Sequence, residues 1–222
     1  MIMQTAMSKV SSSNDGRPLI HGRQDVVDNA APIRVFGGGH ELIVAASIAH
    51  QASDFKDRPY GRDEVERLQK LVKQDASIGI AQIRPSELKW WAPDLVGQGQ
   101  ALFDPAVSTY VMSQKIAFAD FWTQWGVRED IGLTDRYMLM AITQNATSPQ
   151  AIMGIVSRFT EKGMQWSEML KGNEGETRQV RYVALHMIWL LEQGYHLPEG
   201  LDMEYWLKNA FSDIEGVDYD KE

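Results

Sequence analysis

The chain has 222 residues, 44% of them apolar and 23% charged, with 22 Lys plus Arg against 30 Asp plus Glu and a formal net charge of −8. That length suits one large domain or two small ones, and the acidic balance argues against a general nucleic-acid binder, which needs a basic surface to displace counterions. Cysteine is absent, which removes disulfide scaffolds, Cys-ligated zinc, iron–sulfur clusters and Cys nucleophiles, and leaves the redox compartment open.

Residues 1–39 carry the polar run Ser11-Ser12-Ser13-Asn14-Asp15-Gly16 and end in Gly37-Gly38-Gly39. Few apolar residues recur there at any period, so the expectation is a loosely packed N-terminal arm, followed by one domain over 40–222. The glycine triplet lacks the Lys-Ser/Thr and the GxGxxG spacing of phosphate loops and reads as a joint before a helix. Met1 to Asp15 lacks the basic-then-apolar order of a signal peptide, so delivery without a visible leader is expected.

His40 to Ser53 is apolar on most sides, through Leu42, Ile43, Ala45, Ala46, Ile48, Ala49 and Ala52. This predicts a helix buried in the domain centre, with Glu41 well placed in its first turn. Asp63 to Lys73 sets Val65, Leu68, Leu71 and Val72 on one side, the pattern of a surface helix. Ser77 to Ile83 is short, small and β-branched, and predicts an extended or tightly turned segment, after which Arg84-Pro85 opens a new element. Further helices are predicted over 105–125, 135–146, 149–159, 166–170 and 178–191, with a short last one over 201–211. Gly194 to Gly200 and the acidic tail Asp213 to Glu222 read as surface. There is no internal repeat and no βαβ alternation. The fold class is therefore mainly α, with a small irregular or β element near residues 76–83. No uncharged apolar run approaches the ~20 residues of a membrane span. The histidines His21, His40, His50, His186 and His196 show neither an i, i+4 pair nor HExxH, so neither a metal nor another cofactor is expected.

Several segments, in order, resemble the lysozyme-like superfamily of soluble lytic transglycosylases and goose-type lysozymes. Ala45-Ala-Ser-Ile-Ala-His-Gln-Ala-Ser53 is similar to the family's buried helix ending in I-x-x-Q-E-S. Ser77-Ile-Gly-Ile-Ala-Gln-Ile-Arg-Pro-Ser86 resembles its G-x-x-Q-[ILV]-x-P-S run, and Leu102-Phe-Asp-Pro-Ala-Val-Ser108 its L-F-D-P-x-x-N. Leu139-Met-Ala-Ile-Thr-Gln-Asn-Ala146 resembles A-A-Y-N-A-G, and Glu176-Thr177 with Tyr182-Val183 is a longer version of E-T-x-x-Y-V. The resemblance spans roughly residues 40–191 and implies a lysozyme-like helical domain that cleaves the β-1,4 bond between MurNAc and GlcNAc in peptidoglycan strands.

The departures carry as much information. Ala52 stands where the family has its catalytic Glu, so the resemblance implies a chain lacking its general acid. Three accounts stand: an inactive Glu-to-Ala form of a cell-wall-degrading effector or lysin domain, a natural non-catalytic glycan-binding pseudoenzyme, or a one-residue offset with Gln51 in the acid's place. In the segment around 144 the family's Tyr-Asn reads Gln144-Asn145, so only Asn145 carries over. By the resemblance, Ser53, Gly79, Gln82 and Asn145 are substrate-binding, and Asp75 is the candidate water-positioning base. Each has a plainer reading: Ser53 as a helix-end residue, Gly79 as a turn glycine, Gln82 as an amide bonded to nearby backbone, Asn145 as a helix cap and Asp75 as part of a solvated acidic face. Asp63 and Glu64 read as that face. Asp104-Pro105 reads as an N-cap and first-turn pair and His50 as a structural hydrogen-bonder; Trp90, Trp91, Trp122 and Trp125 could give the aromatic platforms sugars stack on, although the helical spacing of Trp122 and Trp125 is more often that of core residues.

An inverting hydrolase needs a second carboxylate to activate water, whereas the lytic transglycosylases of the family use the sugar's own 6-hydroxyl and one Glu. Both outcomes remain open at this point. The implied setting is the bacterial periplasm or cell wall. The implied partners are peptidoglycan strands and an immunity or inhibitor protein, with no nucleic acid. The −8 charge fits delivery close to an anionic wall better than free diffusion to it.

Overall fold

The computed structural model describes residues 19–53, 65–126, 131–160 and 163–212. The fold is mainly α. In chain order the helices are α1 (Leu19–Asp28), α2 (Ala30–Gly37), α3 (Glu41–Ser53), α4 (Val65–Lys73), α5 (Leu88–Trp91), α6 (Pro105–Gly126), α7 (Leu133–Ile142), α8 (Pro149–Thr160), α9 (Trp166–Leu170), α10 (Glu174–Glu192) and α11 (Met203–Ala210). Short 310 turns at Gly38–His40, Pro85–Glu87, Pro93–Leu95, Gly99–Phe103 and Thr143–Asn145 join several of them. The only β pairing among the described residues is the isolated antiparallel bridge Ile78–Ile83.

Helix α3 is the central rod. It packs against α1, α2, α6, α7 and α10. Ile43, Val44, Ala45, Ala46, Ile48 and Ala49 are each 0% exposed, which explains why its sequence is apolar around the whole circumference rather than along one stripe. Each buried Ile or Val there contributes about 1.5–3 kcal/mol of transfer free energy. Helix α6 runs beside it and touches α2, α7, α8 and the turns at 99–103 and 143–145. Its start is set chemically: Asp104 Oδ1 accepts from the Ala106 N–H at 2.7 Å, and Pro105 occupies the first helical position. The side chain of Asn173 accepts from the Glu176 N–H at the start of α10. That of Asp202 accepts from the Tyr205 N–H at the start of α11. Such caps contribute about 1 kcal/mol each.

The described part of the N-terminal region corrects the expectation of a loosely packed arm over 1–39. Residues 19–28 and 30–37 are helical, α1 packs along α3, and Val26 and Ile33 are 1% and 0% exposed. These two join one apolar core that runs from Val26 to Phe211. The physical reason is close approach: Gly22 and Gly37 are buried, and small residues let the helices sit against α3 without a long apolar stripe. The domain therefore begins before residue 40. Residues 1–18 and the tail 213–222 lie outside the described residues.

Candidate functional site

The last turn of α3 holds Gln51, Ala52 and Ser53. Gln51 Nε2 donates to Asn145 Oδ1 at 3.2 Å, which brings the 310 turn Thr143–Asn145 to the end of the buried helix. Asn145 Nδ2 in turn donates to Gln179 Oε1 on α10 at 2.6 Å, and Gln179 Nε2 donates to Gln144 Oε1 at 2.6 Å. Gln144 Nε2 donates to the hydroxyl of Ser47, and that hydroxyl donates to the carbonyl of Ile43 in α3. Ser47, Gln144 and Gln179 are 0%, 3% and 1% exposed, so each of these bonds replaces a solvent contact that burial removed. Gln144 is thus a link of a buried polar chain between Ser47 and Gln179.

A second group lies around residues 75–86. Ile78 and Ile83 exchange both backbone hydrogen bonds at 3.0 Å and close a tight four-residue loop. Gly79 has φ +73°, and a Cβ there would come within 2.1 Å of the Leu102 carbonyl oxygen and 2.7 Å of Ser108 Oγ. Only glycine fits. Ser108, buried at 0% exposure in the first turns of α6, accepts from the Ala81 N–H at 3.1 Å. So the segment 102–108 clamps the 77–83 loop.

Gln82 adopts φ +53°, and its Nε2 donates to the Gly79 carbonyl at 2.6 Å. The amide is engaged within its own loop. Asp75 also sits at φ +53°, and both carboxylate oxygens are taken: Oδ1 accepts from the Ser86 N–H at 2.7 Å and Oδ2 from the Ser86 hydroxyl at 2.6 Å. This is a cap on the Pro85–Glu87 turn. The structure therefore unites Asp75, Gly79 and Gln82 in one loop cluster, and Asn145 with the end of α3. Helix α6 packs on elements of both. Asp54, Asp57, Asp63 and Glu64 lie outside the described residues.

Buried charge braces the loop cluster. Lys115 Nζ of α6 meets Glu87 Oε2 at 2.8 Å, and both residues are 3% exposed. Burial pushes the Lys115 ammonium below its usual range, against the opposing pull of Glu87. His50 stacks on Tyr182 of α10 with ring centroids 5.5 Å apart. His186 is 0% exposed, and neither ring nitrogen has a hydrogen-bond partner among the described residues. Burial holds its pKa well below 6.5, and the neighbouring His50 and Arg23 push the same way. Trp91 is core and Trp122 half-buried, but Trp125 is 79% exposed and stacks on Phe121, correcting its expected place in the core. Its α-helical spacing from Trp122 misled, because Trp125 is the penultimate residue of α6 and lies with the exposed Phe121 at the end of that helix.

Sequence reading missed Ser47, Gln51, Gln144 and Gln179 as a unit. The available signal was polar residues inside apolar stretches, Ser47 within Leu42–Ala49 and Gln144 after Met138–Ile142. Among the described residues no group of His, Asp or Glu could hold a metal ion, and no helix is long and apolar enough to cross a membrane. No protein-family model, curated protein or solved structure matches the chain. Chemically, the amides at the end of α3 can hydrogen-bond a ligand but cannot deliver a proton near neutral pH.

Proposed function

We propose that this chain is a lysozyme-like domain directed at peptidoglycan glycan strands, which in the present sequence binds them without cutting because Ala52 occupies the place of the general acid. The observation that carries the reading is the Gln51–Asn145 hydrogen bond across 94 positions, which joins the first and fourth of the resembling segments at one spot. The clamp of the 77–83 loop by Ser108 joins the second and third in the same way. Segments that resemble one family in sequence order thus also pair in space.

The position suits an acid. A carboxyl at residue 52 would sit in the last turn of α3, where the partial negative charge of the helix end disfavours ionisation. Ile48 and Ala49, both 0% exposed, make the preceding turn of α3 apolar, the kind of wall that raises a carboxyl's pKa. Asp75 is occupied as a cap, which favours a one-acid cleavage in which the sugar's 6-hydroxyl attacks over water activation by Asp75. The proposed setting is the periplasm or cell wall, with an immunity or inhibitor protein as the proposed partner for the site.

The test is Ala52→Glu. Purified cell walls should lose turbidity with this variant and not with the parent. A folded Ala52→Glu protein that leaves walls intact counts against cleavage, and binding of glycan strands by the parent then favours the pseudoenzyme reading. If cleavage occurs, a 1,6-anhydro product ~18 Da lighter than the hydrolytic one identifies the one-acid route.

A further inference from the structure

The longest described helix, α6, offers water a face without charge. Its only charged residues are Lys115 and Asp120, 3% and 5% exposed and turned inward to Glu87 and Arg136. Its exposed positions are Tyr110, Gln114, Ala117, Phe121, Gln124 and Trp125. At the turn of an α-helix these six fall within an arc of about 100° and form one stripe. At one end Tyr110 meets Phe36 of α2 edge to face, and at the other Phe121 stacks on Trp125, each pair with ring centroids 5.7 Å apart. Phe36, Tyr110, Phe121 and Trp125 are 38%, 38%, 51% and 79% exposed. In a chain that is 23% charged, open aromatic rings on a helix face without one charge have the composition of an interface core rather than of a solvated surface.

Spacing and charge select the occupant. Tyr110 and Trp125 stand equally far on either side of Ala117-Phe118, and so do Gln114 and Phe121. We infer that α6 is a dimerisation helix, which pairs antiparallel with α6 of a second copy about a two-fold axis at Ala117. That operation lays the Phe36–Tyr110 pair of each copy on the Phe121–Trp125 pair of the other. Ala117 meets itself at the crossing, where its small side chain lets the axes approach to about 8–10 Å. A net charge of −8 opposes contact between two copies over most of the surface, and a stripe without carboxylates is where they meet without that cost. The open parts of the four rings amount to about 300–500 Å² per copy, roughly half of the ~800 Å² a side of a standard interface. A reversible dimer is the expected result, and it does not depend on the glycan-strand reading.

Sedimentation velocity on the full chain at physiological salt, from about 1 to 200 μM, tests the inference. The weight-average mass should rise from 25.1 kDa towards twice that value. Ala117→Glu sets two carboxylates face to face on the axis and should weaken association about tenfold or more, as should Ala117→Arg with two guanidiniums. Both replace an exposed residue by a good helix former, and circular dichroism checks their fold. Mixed in equal amounts, the two variants should pair again, because on a two-fold axis each charge then meets its opposite. If either fails to fold, Trp125→Glu, at a 79% exposed position, takes its place as the disrupting variant. A parent that stays monomeric at every concentration overturns the inference, whether residues 1–18 or a different protein then cover the stripe. A dimer undiminished in folded Ala117→Glu or Trp125→Glu overturns it too, since association then uses another face. Folded Glu and Arg variants that are each monomeric and do not restore one another refute the axis at Ala117.

Discussion

Gly79→Ala probes the clamp on the 77–83 loop. Two costs add at this position. A non-glycine residue at φ +73° gives up about 1–2 kcal/mol of backbone energy. The new Cβ would also lie 2.1 Å from the Leu102 oxygen and 2.7 Å from Ser108 Oγ. The nearer atom is backbone, in the Gly99–Phe103 turn whose Leu102 is 0% exposed, so relief requires moving the turn, at about 1–3 kcal/mol. The expected loss is about 2–5 kcal/mol, a large share of a domain's stability. Gly194→Ala is the control. Gly194 has φ +87° but nothing within 4 Å of a Cβ, so it isolates the backbone cost at about 1–2 kcal/mol. Equilibrium urea unfolding, followed by tryptophan fluorescence, measures both variants, and a shifted midpoint with an unchanged slope marks a true stability change. If Gly79→Ala is no more destabilising than Gly194→Ala, the loop is not pressed against residues 102–108 and the clamp is wrong.

Three further outcomes are expected. Because native His186 stays neutral while the unfolded chain protonates it near 6.5, stability should be unaffected by this group above that pH. Below it, stability should fall by up to about 1.4 kcal/mol per pH unit towards the depressed native pKa. His186→Leu should flatten that acid limb in thermal melts from pH 7.5 to 5, and an unchanged limb would show that another group governs it. Glu87→Gln should cost about 3–5 kcal/mol by stranding the Lys115 ammonium at a 3% exposed site, whereas Glu87→Leu with Lys115→Met should recover most of it. A double variant as unstable as the single would contradict the buried-pair account. Asp75→Ala should lose about 1 kcal/mol of stability as the cap on the 85–87 turn goes. In the Ala52→Glu background it should leave cleavage within a few-fold; an abolished rate at intact stability would make Asp75 a reacting group instead.

Much of the helical frame was legible because periodicity reports burial directly. The residues of α3 announce a central rod, Asp104-Pro105 marks the start of α6, and Trp166–Leu170 matches its predicted bounds. Helices α1 and α2 were not legible, since Val26 and Ile33 alone anchor them in the apolar core, beside the buried Gly22 and Gly37, and two apolar positions make no periodic signal. The polar chain was not legible either. Ser47, Gln144 and Gln179 satisfy one another across 97 and 35 positions, and no local pattern encodes a hydrogen bond between distant amides. Asp75 shows the converse limit: its spacing before Gly79 suggested chemistry, while its carboxylate is spent on Ser86. Trp125 shows that helical spacing alone does not choose a side of the helix.

The central claim is that the end of α3 is a glycan-cleaving position whose acid is missing. Ala52→Glu protein incubated with purified peptidoglycan, with the soluble fraction analysed by mass spectrometry, addresses it directly. Disaccharide-peptide fragments are expected with the variant and none with the parent. A variant that folds and binds glycan strands but releases no fragments would contradict it.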